Sequence, residues 1–204
     1  MANTFAPSGL SPVRRVDGAS WSDQITQRLI AAANTHKFYR GDPVVALNTG
    51  YIDTVAIGSI PTIGTLGVFL GCEFQATASG TPWSASYPGA AQTVDTKAFI
   101  CYDPNVVFRI WVGTGASSAS GGPAVLADLG ANFNWQMGTG NVLSGISGAY
   151  LDYASLGTTN TLPLTIIGLV QDPPGMNGTD ITTAGNMVEV VLNQSALKVG
   201  TTGV

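Results

Sequence analysis

The sequence predicts an all-β protein, a β-sandwich or a jelly-roll-like barrel, and three observations lead to this class. Turn formers are frequent, with 26 Gly and 11 Pro in 204 residues. Glutamate, which favours helices, occurs only at Glu73 and Glu189, whereas Thr and Ser are abundant. Short apolar segments, roughly nine to eleven of them, recur between turn signals at the spacing that is typical of sandwiches and barrels.

Charged residues make up only 10% of the chain, whereas about 25% is usual for soluble domains. The surface must therefore consist largely of small polar residues and Ala, or be covered by other chains. The net charge is −4, and the eight basic residues are dispersed apart from Arg14-Arg15. Direct binding of nucleic acid is not expected, because neutralising phosphates requires clustered Lys and Arg.

The sequence offers no membrane or disulfide signal. No apolar run reaches the ~18 residues of a membrane span. The opening MANTFAPSGLSP lacks a basic region followed by an apolar one, so we expect no secretory signal. Cys72 and Cys101 lie in apolar, strand-like segments and are expected to be buried free thiols.

The chain divides into an extended N-terminal arm, residues 1–24, and a single β-rich domain, residues 25–204. The arm contains Pro7, Pro12, Gly9 and Gly18 and has no hydrophobic period. Its apolar side chains indicate that it lies along something, either its own domain or a neighbour.

The domain begins with ITQRLIAAAN (25–34), which fits a strand or a short helix, and we favour the strand. Eight further strand candidates follow: PVVAL (43–47), YIDTVAI (51–57), TLGVFLGCEFQAT (65–77), TVDTKAFICY (93–102), NVVFRIWVG (105–113), GAYLDYAS (148–155), LPLTIIGLVQD (162–172) and NMVEVVLN (186–193).

Three details refine this pattern. Gly67 and Gly71 indicate a bulge or a close backbone approach within their strand. Both faces of residues 105–113 are apolar, which predicts a central strand. The low-complexity stretch 113–122 predicts a flexible loop rather than a phosphate-binding loop, and residues 124–135 remain ambiguous.

The tripeptide Arg40-Gly41-Asp42 has two interpretations. As a motif it is the integrin-binding sequence, which must lie exposed at a loop tip. Here Pro43 follows directly, biases Asp42 toward an extended backbone and opens an apolar segment. We therefore interpret the tripeptide as a turn that leads into a strand.

No catalytic or metal-binding motif is recognisable, so we expect neither an enzyme nor a cofactor. The single histidine, His36, has no G-x-S-x-G sequence to accompany it, and no metal-ligand spacing occurs. Paired acids from distant strands could still meet in space, which leaves a hydrolase as an alternative.

Four tryptophans are available as core or interface anchors. Trp83 and Tyr87 lie in the loop-like GTPWSASYPG, where they either form a contact site or pack under the loop. Exposure of both would favour a receptor- or glycan-binding module.

Five segments that together span most of the chain are, in order, MANTFAPSGLSPVRRVDGASW, YRGDPVVALNTGYI, TLGVFLGCEF, YDPNVVFRIWV and GISGAYLDYASLGTTNTLPLTIIGLVQDPPG. Taken in this order, they resemble the capsid cement, or head decoration, proteins of tailed bacteriophages. A single segment is a turn followed by an apolar strand, which many proteins contain, so the resemblance depends on the order of the whole set.

The resemblance implies a β-rich virion structural protein on the outside of the capsid, assembled in the bacterial cytoplasm. It implies a homotrimer or homodimer that binds the major capsid protein and stabilises contacts between its subunits. Arg14, Arg15 and Trp21 of the arm are the residues that we expect to contact the capsid, with Trp83 and Tyr87 as further candidates. Alternatively, the arm packs on its own domain. The rival hypothesis is a receptor- or glycan-binding module of a phage tail or fibre.

Overall fold

The computed structural model describes residues 3–22, 25–57, 65–74, 82–114, 121–171 and 178–193. These ranges contain strands and one 3₁₀ turn, Leu126–Asp128, which confirms the all-β class. The strands are β1 (Ser11–Arg15), β2 (Ile25–Ile30), β3 (Phe38–Tyr39), β4 (Pro43–Ala46), β5 (Ile52–Asp53), β6 (Thr65–Glu73), β7 (Trp83–Ser84), β8 (Ser86–Tyr87), β9 (Thr96–Cys101), β10 (Val106–Gly113), β11 (Asn132–Gln136), β12 (Tyr150–Gly157), β13 (Leu164–Leu169) and β14 (Met187–Leu192).

Five strands close into a barrel in the order β10-β14-β13-β11-β12, with β12 returning to β10. The β10–β12 pairing is parallel and the other four are antiparallel. Strand β10 has three neighbours because β1 and β12 occupy successive parts of one edge. Strand β1 pairs along Val106–Arg109, and β12 pairs at Val112 and Gly113. The barrel thereby satisfies its strand edges internally.

The barrel core follows from the period-2 alternation of its strands. Phe108, Ile110 and Val112 of β10 point into it and are buried with Phe133, Trp135 and the apolar residues of the other strands. On the outer face of β10, Val107 and Trp111 are also buried. The prediction of a central strand with two apolar faces is thus confirmed.

A second sheet, in the order β2-β9-β6-β4-β5 with β7 on β6, packs on the barrel. Val68 and Leu70 of β6 join the barrel core, whereas Phe69 and Cys72 belong to a second core with Phe38 and Tyr87. Leu70 and Cys72 would share a face in a regular strand. The register shift at Gly71 moves Cys72 to the other face, which confirms the predicted bulge.

The described part of the arm lies along its own domain, one of the two alternatives that the sequence left open. Strand β1 extends the barrel wall, and Leu10 is buried in the barrel core. Phe5 packs edge-on against Trp111 and Tyr150 at ring-centroid distances of 6.5 and 5.4 Å. The Asn3 side-chain amide donates to the Asp180 and Thr183 carbonyl oxygens at 2.7 and 3.1 Å.

The other predicted segments form strands, with two differences. Only Ile52–Asp53 of the segment 51–57 is a strand, because the Asp53 side chain accepts the backbone N–H of Thr54 and the chain then leaves the sheet. The ambiguous stretch 124–135 divides into the 3₁₀ turn and the start of β11. Most of the predicted loop 113–122 lies outside the described residues.

Both cysteines are buried free thiols, as predicted. Cys72 belongs to the second core and Cys101 to the barrel core. Burial raises the pKa of each thiol to about 12.

Candidate interaction surface

The Arg40-Gly41-Asp42 tripeptide forms the junction of three segments. Gly41 adopts φ +96°; its N–H donates to the Phe69 carbonyl and its own carbonyl accepts from Leu10 N–H. Asp42 is buried, and its carboxylate accepts the backbone N–H of Tyr39 at 2.7 Å. These contacts agree with the interpretation of the tripeptide as a turn. Arg40, by contrast, is exposed.

Two adjoining depressions form a groove around Arg40, with volumes of about 360 and 270 Å³. They share Trp21, Arg40 and Leu70 in their walls. We call this feature the Trp21–Trp83 groove, and its principal lining residues are Trp21, Ile25, Arg40, Leu70, Trp83, Phe99 and Ile146. The groove thus joins the arm to the second sheet and to the segment 141–146.

Trp83 is the most prominent side chain of the groove, since 58% of its surface is exposed. It pairs with Glu73 across β6 and β7, and its ring lies over Gly71. A Cβ at Gly71 would meet the ring carbon Cζ2 at 2.7 Å, so the absent side chain makes room for the indole. The indole ring therefore packs against the backbone at Gly71, and much of the rest of its surface is exposed to solvent.

The turn at residues 141–146, whose Ser144 and Ile146 line the groove, presents two more apolar side chains to solvent. Val142 and Leu143 are exposed, Leu143 by 99%. The Asn141 side-chain oxygen accepts the N–H groups of Leu143 and Ser144, and Gly145 O accepts from Arg40 N at 2.8 Å. The turn is thus tied both to itself and to the Arg40 backbone.

The described residues of the groove carry one positive charge. Among the described residues that line it, Arg40 is the single charged side chain, and it forms no ion pair with another described residue. Glu73, which lies opposite Trp83 on the neighbouring strand, forms an ion pair with Lys97 at 3.1 Å. A lone guanidinium among aromatic and aliphatic surfaces can bind a carboxylate while the apolar walls cover its neighbours.

The structure brings together only part of the predicted contact set. Trp21 and Trp83 both line the groove. Tyr87 is 1% exposed and donates its hydroxyl to the Asn34 and Ala90 carbonyls, so it packs under the loop, the alternative interpretation for that residue.

Arg14 and Arg15 are engaged within the chain. Arg14 forms an ion pair with Glu189 at 2.8 Å, and Glu189 also contacts Arg109 at 3.3 Å. Arg15 lies near Asp17 and Asp103 at 3.6 and 3.5 Å. These contacts lie within the chain and do not test whether Arg14 and Arg15 also contact the capsid, which stays a prediction.

Sequence reasoning missed Arg40 and the Val142–Leu143 pair as surface features. The integrin motif drew attention to the tripeptide as a unit, whereas only its first residue is exposed. For Val142–Leu143 a signal existed, because two apolar residues lie between the turn formers Asn141 and Ser144-Gly145.

The described residues contain no group of three or more His, Cys, Asp or Glu side chains that could hold a metal ion. His36 pairs with Asp53 at 2.8 Å and lines a separate cavity of about 260 Å³. Within the same described ranges, no helix has the length and apolarity needed to cross a membrane.

Fold and groove together define an all-β protein, a closed barrel with an attached sheet, that carries an aromatic surface groove whose described residues include the cationic Arg40. Comparison with protein-family models, with curated proteins and with solved structures found no match to this chain.

Proposed function

We propose that this protein is a virion structural protein, a capsid cement protein of a tailed bacteriophage. In this role it binds the outer face of the head and stabilises contacts between major capsid protein subunits. It acts as a homotrimer or homodimer and performs no chemical reaction. The ordered segments that resemble the cement family support this proposal.

The observation that carries the proposal is the apolar surface around the groove. Only 10% of the residues are charged, and the fold leaves Trp83 of the groove exposed, together with Val142 and Leu143 of the turn that lines it. Exposed aromatic and aliphatic side chains in one region are typical of surfaces that bind another protein. On a lattice with many copies, modest contacts of this kind become effective through multivalency.

Reconstitution tests this function directly. Heads assembled without the protein are mixed with increasing amounts of the purified full chain and then pelleted. We expect saturable co-sedimentation at a fixed ratio to the major capsid protein, and greater resistance of the decorated heads to heat. Failure of the wild-type protein to pellet with the heads would contradict the cement function.

A second candidate is a receptor- or glycan-binding module of a phage tail or fibre. The exposed Trp83 ring beside Arg40 favours it, because an aromatic face and a guanidinium together suit the stacking and anchoring of a sugar. Binding on a glycan array that disappears in Trp83→Ala, together with absence of binding to heads, would support this candidate over the first.

A further inference from the structure

We propose that the Trp21–Trp83 groove binds a segment of the partner protein in which a carboxylate is flanked by apolar side chains, with Arg40 as the anchor for the carboxylate. This inference rests on the proposed function, since it names the surface and the partner chemistry through which the head would be bound.

The positive charge of Arg40 complements a carboxylate on a partner. Arg40 is the single charged residue among the described residues of the groove, and it has no acidic partner in the described ranges of the chain. The described arginines and lysines that form ion pairs, Arg14, Arg15, Lys97 and Arg109, do not line the groove. Arg28 and Lys37 also form no ion pair with a described residue, but Arg28 lies over the Tyr102 ring and Lys37 lines the separate cavity, so Arg40 is the cation that the groove itself offers to a partner.

The position of Arg40 is fixed by its backbone. Arg40 N donates to Gly145 O at 2.8 Å, and Arg40 O accepts from Ser147 N at 2.9 Å. The next residue, Gly41, is held between β6 and the arm. The Arg40 backbone is therefore held in place by hydrogen bonds. Ordering its side chain on binding should cost less conformational entropy than ordering a side chain on a mobile loop.

The walls specify the rest of the ligand. Trp83 and Trp21 are amphipathic rings, Leu70 and Phe99 are apolar, and the exposed Val142 and Leu143 belong to the turn whose Ser144 and Ile146 line the groove. A carboxylate that approached Arg40 alone in water would gain little. When apolar neighbours of that carboxylate cover the rings, water is excluded and the bidentate guanidinium–carboxylate contact becomes stronger.

Charge and truncation variants of the full-length protein test this inference in the head-binding assay. We expect Arg40→Glu and Trp83→Ala to weaken binding by roughly tenfold or more, the effect of a central interface residue. Arg40→Ala should bind less tightly than the wild type and should lose much of the salt dependence of binding. Lys37→Glu is the matched charge control, since Lys37 is exposed and lines the separate cavity; it should bind like the wild type.

A cross-linking experiment identifies the partner group. Arg40→Lys keeps the charge and supplies an ammonium that a carbodiimide joins to a carboxylate in contact with it. We expect a cross-link from position 40 to an Asp or Glu of the major capsid protein, located by mass spectrometry. Lys37, present in the same chain, is the internal control and should give no such product.

The outcomes separate the inference from the function on which it rests. If the wild type binds heads and the Arg40 and Trp83 variants bind equally well, the groove assignment is wrong and the cement function stands. If only Trp83→Ala weakens binding, the carboxylate anchor is wrong. If the wild type does not bind heads at all, function and groove assignment fail together, and binding to an anionic glycan would then identify the other occupant. Thermal midpoints of the variants within a few degrees of the wild type verify that they are folded.

Discussion

At residue 42 an acidic side chain is buried almost completely, with 1% of its surface exposed. Burial raises the pKa of the Asp42 carboxyl to about 7, and hydrogen bonds from Ser147 and from Tyr39 N–H oppose that rise only in part. Between about pH 4 and pH 7, the Asp42 carboxyl is therefore protonated in the folded protein and ionised in the unfolded chain. The free energy of unfolding should then fall as the pH rises from about 4 to about 7, by up to about 4 kcal/mol, and level off above.

Asp42→Asn tests this assignment, because the amide oxygen can still accept the Tyr39 N–H while no proton is exchanged. Urea unfolding at a series of pH values should show the decline in the wild type and a markedly smaller one in the variant. Equal slopes for both proteins between pH 4 and 7 would mean that other groups are responsible.

Gly41 combines a positive φ with close neighbours, and the two effects can be separated. A Cβ at Gly41 would lie 2.8 Å from Ser8 O, whereas Gly50, at φ +87°, has open space around it. Gly41→Ala should lower the free energy of unfolding by about 1–3 kcal/mol more than Gly50→Ala does, since both share the backbone strain and only one meets the arm. Equal losses in urea unfolding would refute the steric contribution.

At the scale of the element, β1 behaves as part of the barrel rather than as a detachable arm. Leu10, the residue directly before β1, is fully buried in the barrel core. Leu10→Ala should destabilise the protein by about 2–4 kcal/mol through the cavity that it leaves. Val16→Ala, at an exposed position just beyond β1, should change stability by about 0.5 kcal/mol or less.

Denaturant unfolding of both variants measures this contrast. A small effect of Leu10→Ala would indicate that the arm contributes little to the fold, as an arm reserved for a neighbouring subunit would. The same result decides how arm deletions should be interpreted, because removing residues 2–16 removes Leu10 and would weaken head binding through unfolding alone.

Most strands could be predicted because their signals are local. The run NVVFRIWVG, with apolar residues on both faces, specifies a central strand without reference to the rest of the chain. Closure of the barrel could not be predicted, since it depends on pairings such as Val112 with Leu151, which are distant in sequence. The groove is even less local, because Trp21, Arg40, Leu70 and Trp83 come from four separate segments.

Across the whole molecule, the two buried thiols report whether the barrel core and the second core open together. Val68 and Leu70 belong to the second sheet and pack in the barrel core, so the two units share apolar surface and should open as one. Both cysteines are on neighbouring strands of the second sheet, β6 and β9, but the Cys101 side chain packs in the barrel core and the Cys72 side chain in the second core. Burial raises both thiol pKa values to about 12, so in the folded state neither offers the thiolate that reacts with an aromatic disulfide reagent.

Labelling must therefore follow unfolding, and single-thiol variants distinguish the two sites. In Cys72→Ala only Cys101 reacts, and in Cys101→Ala only Cys72. After correction for the stability of each variant, we expect the same opening free energy from both, with labelling slowed by roughly 10³-fold or more relative to the unfolded chain. Faster labelling of Cys72 would instead show that the second core opens while the interface between the second sheet and the barrel, where the Cys101 side chain lies, stays closed.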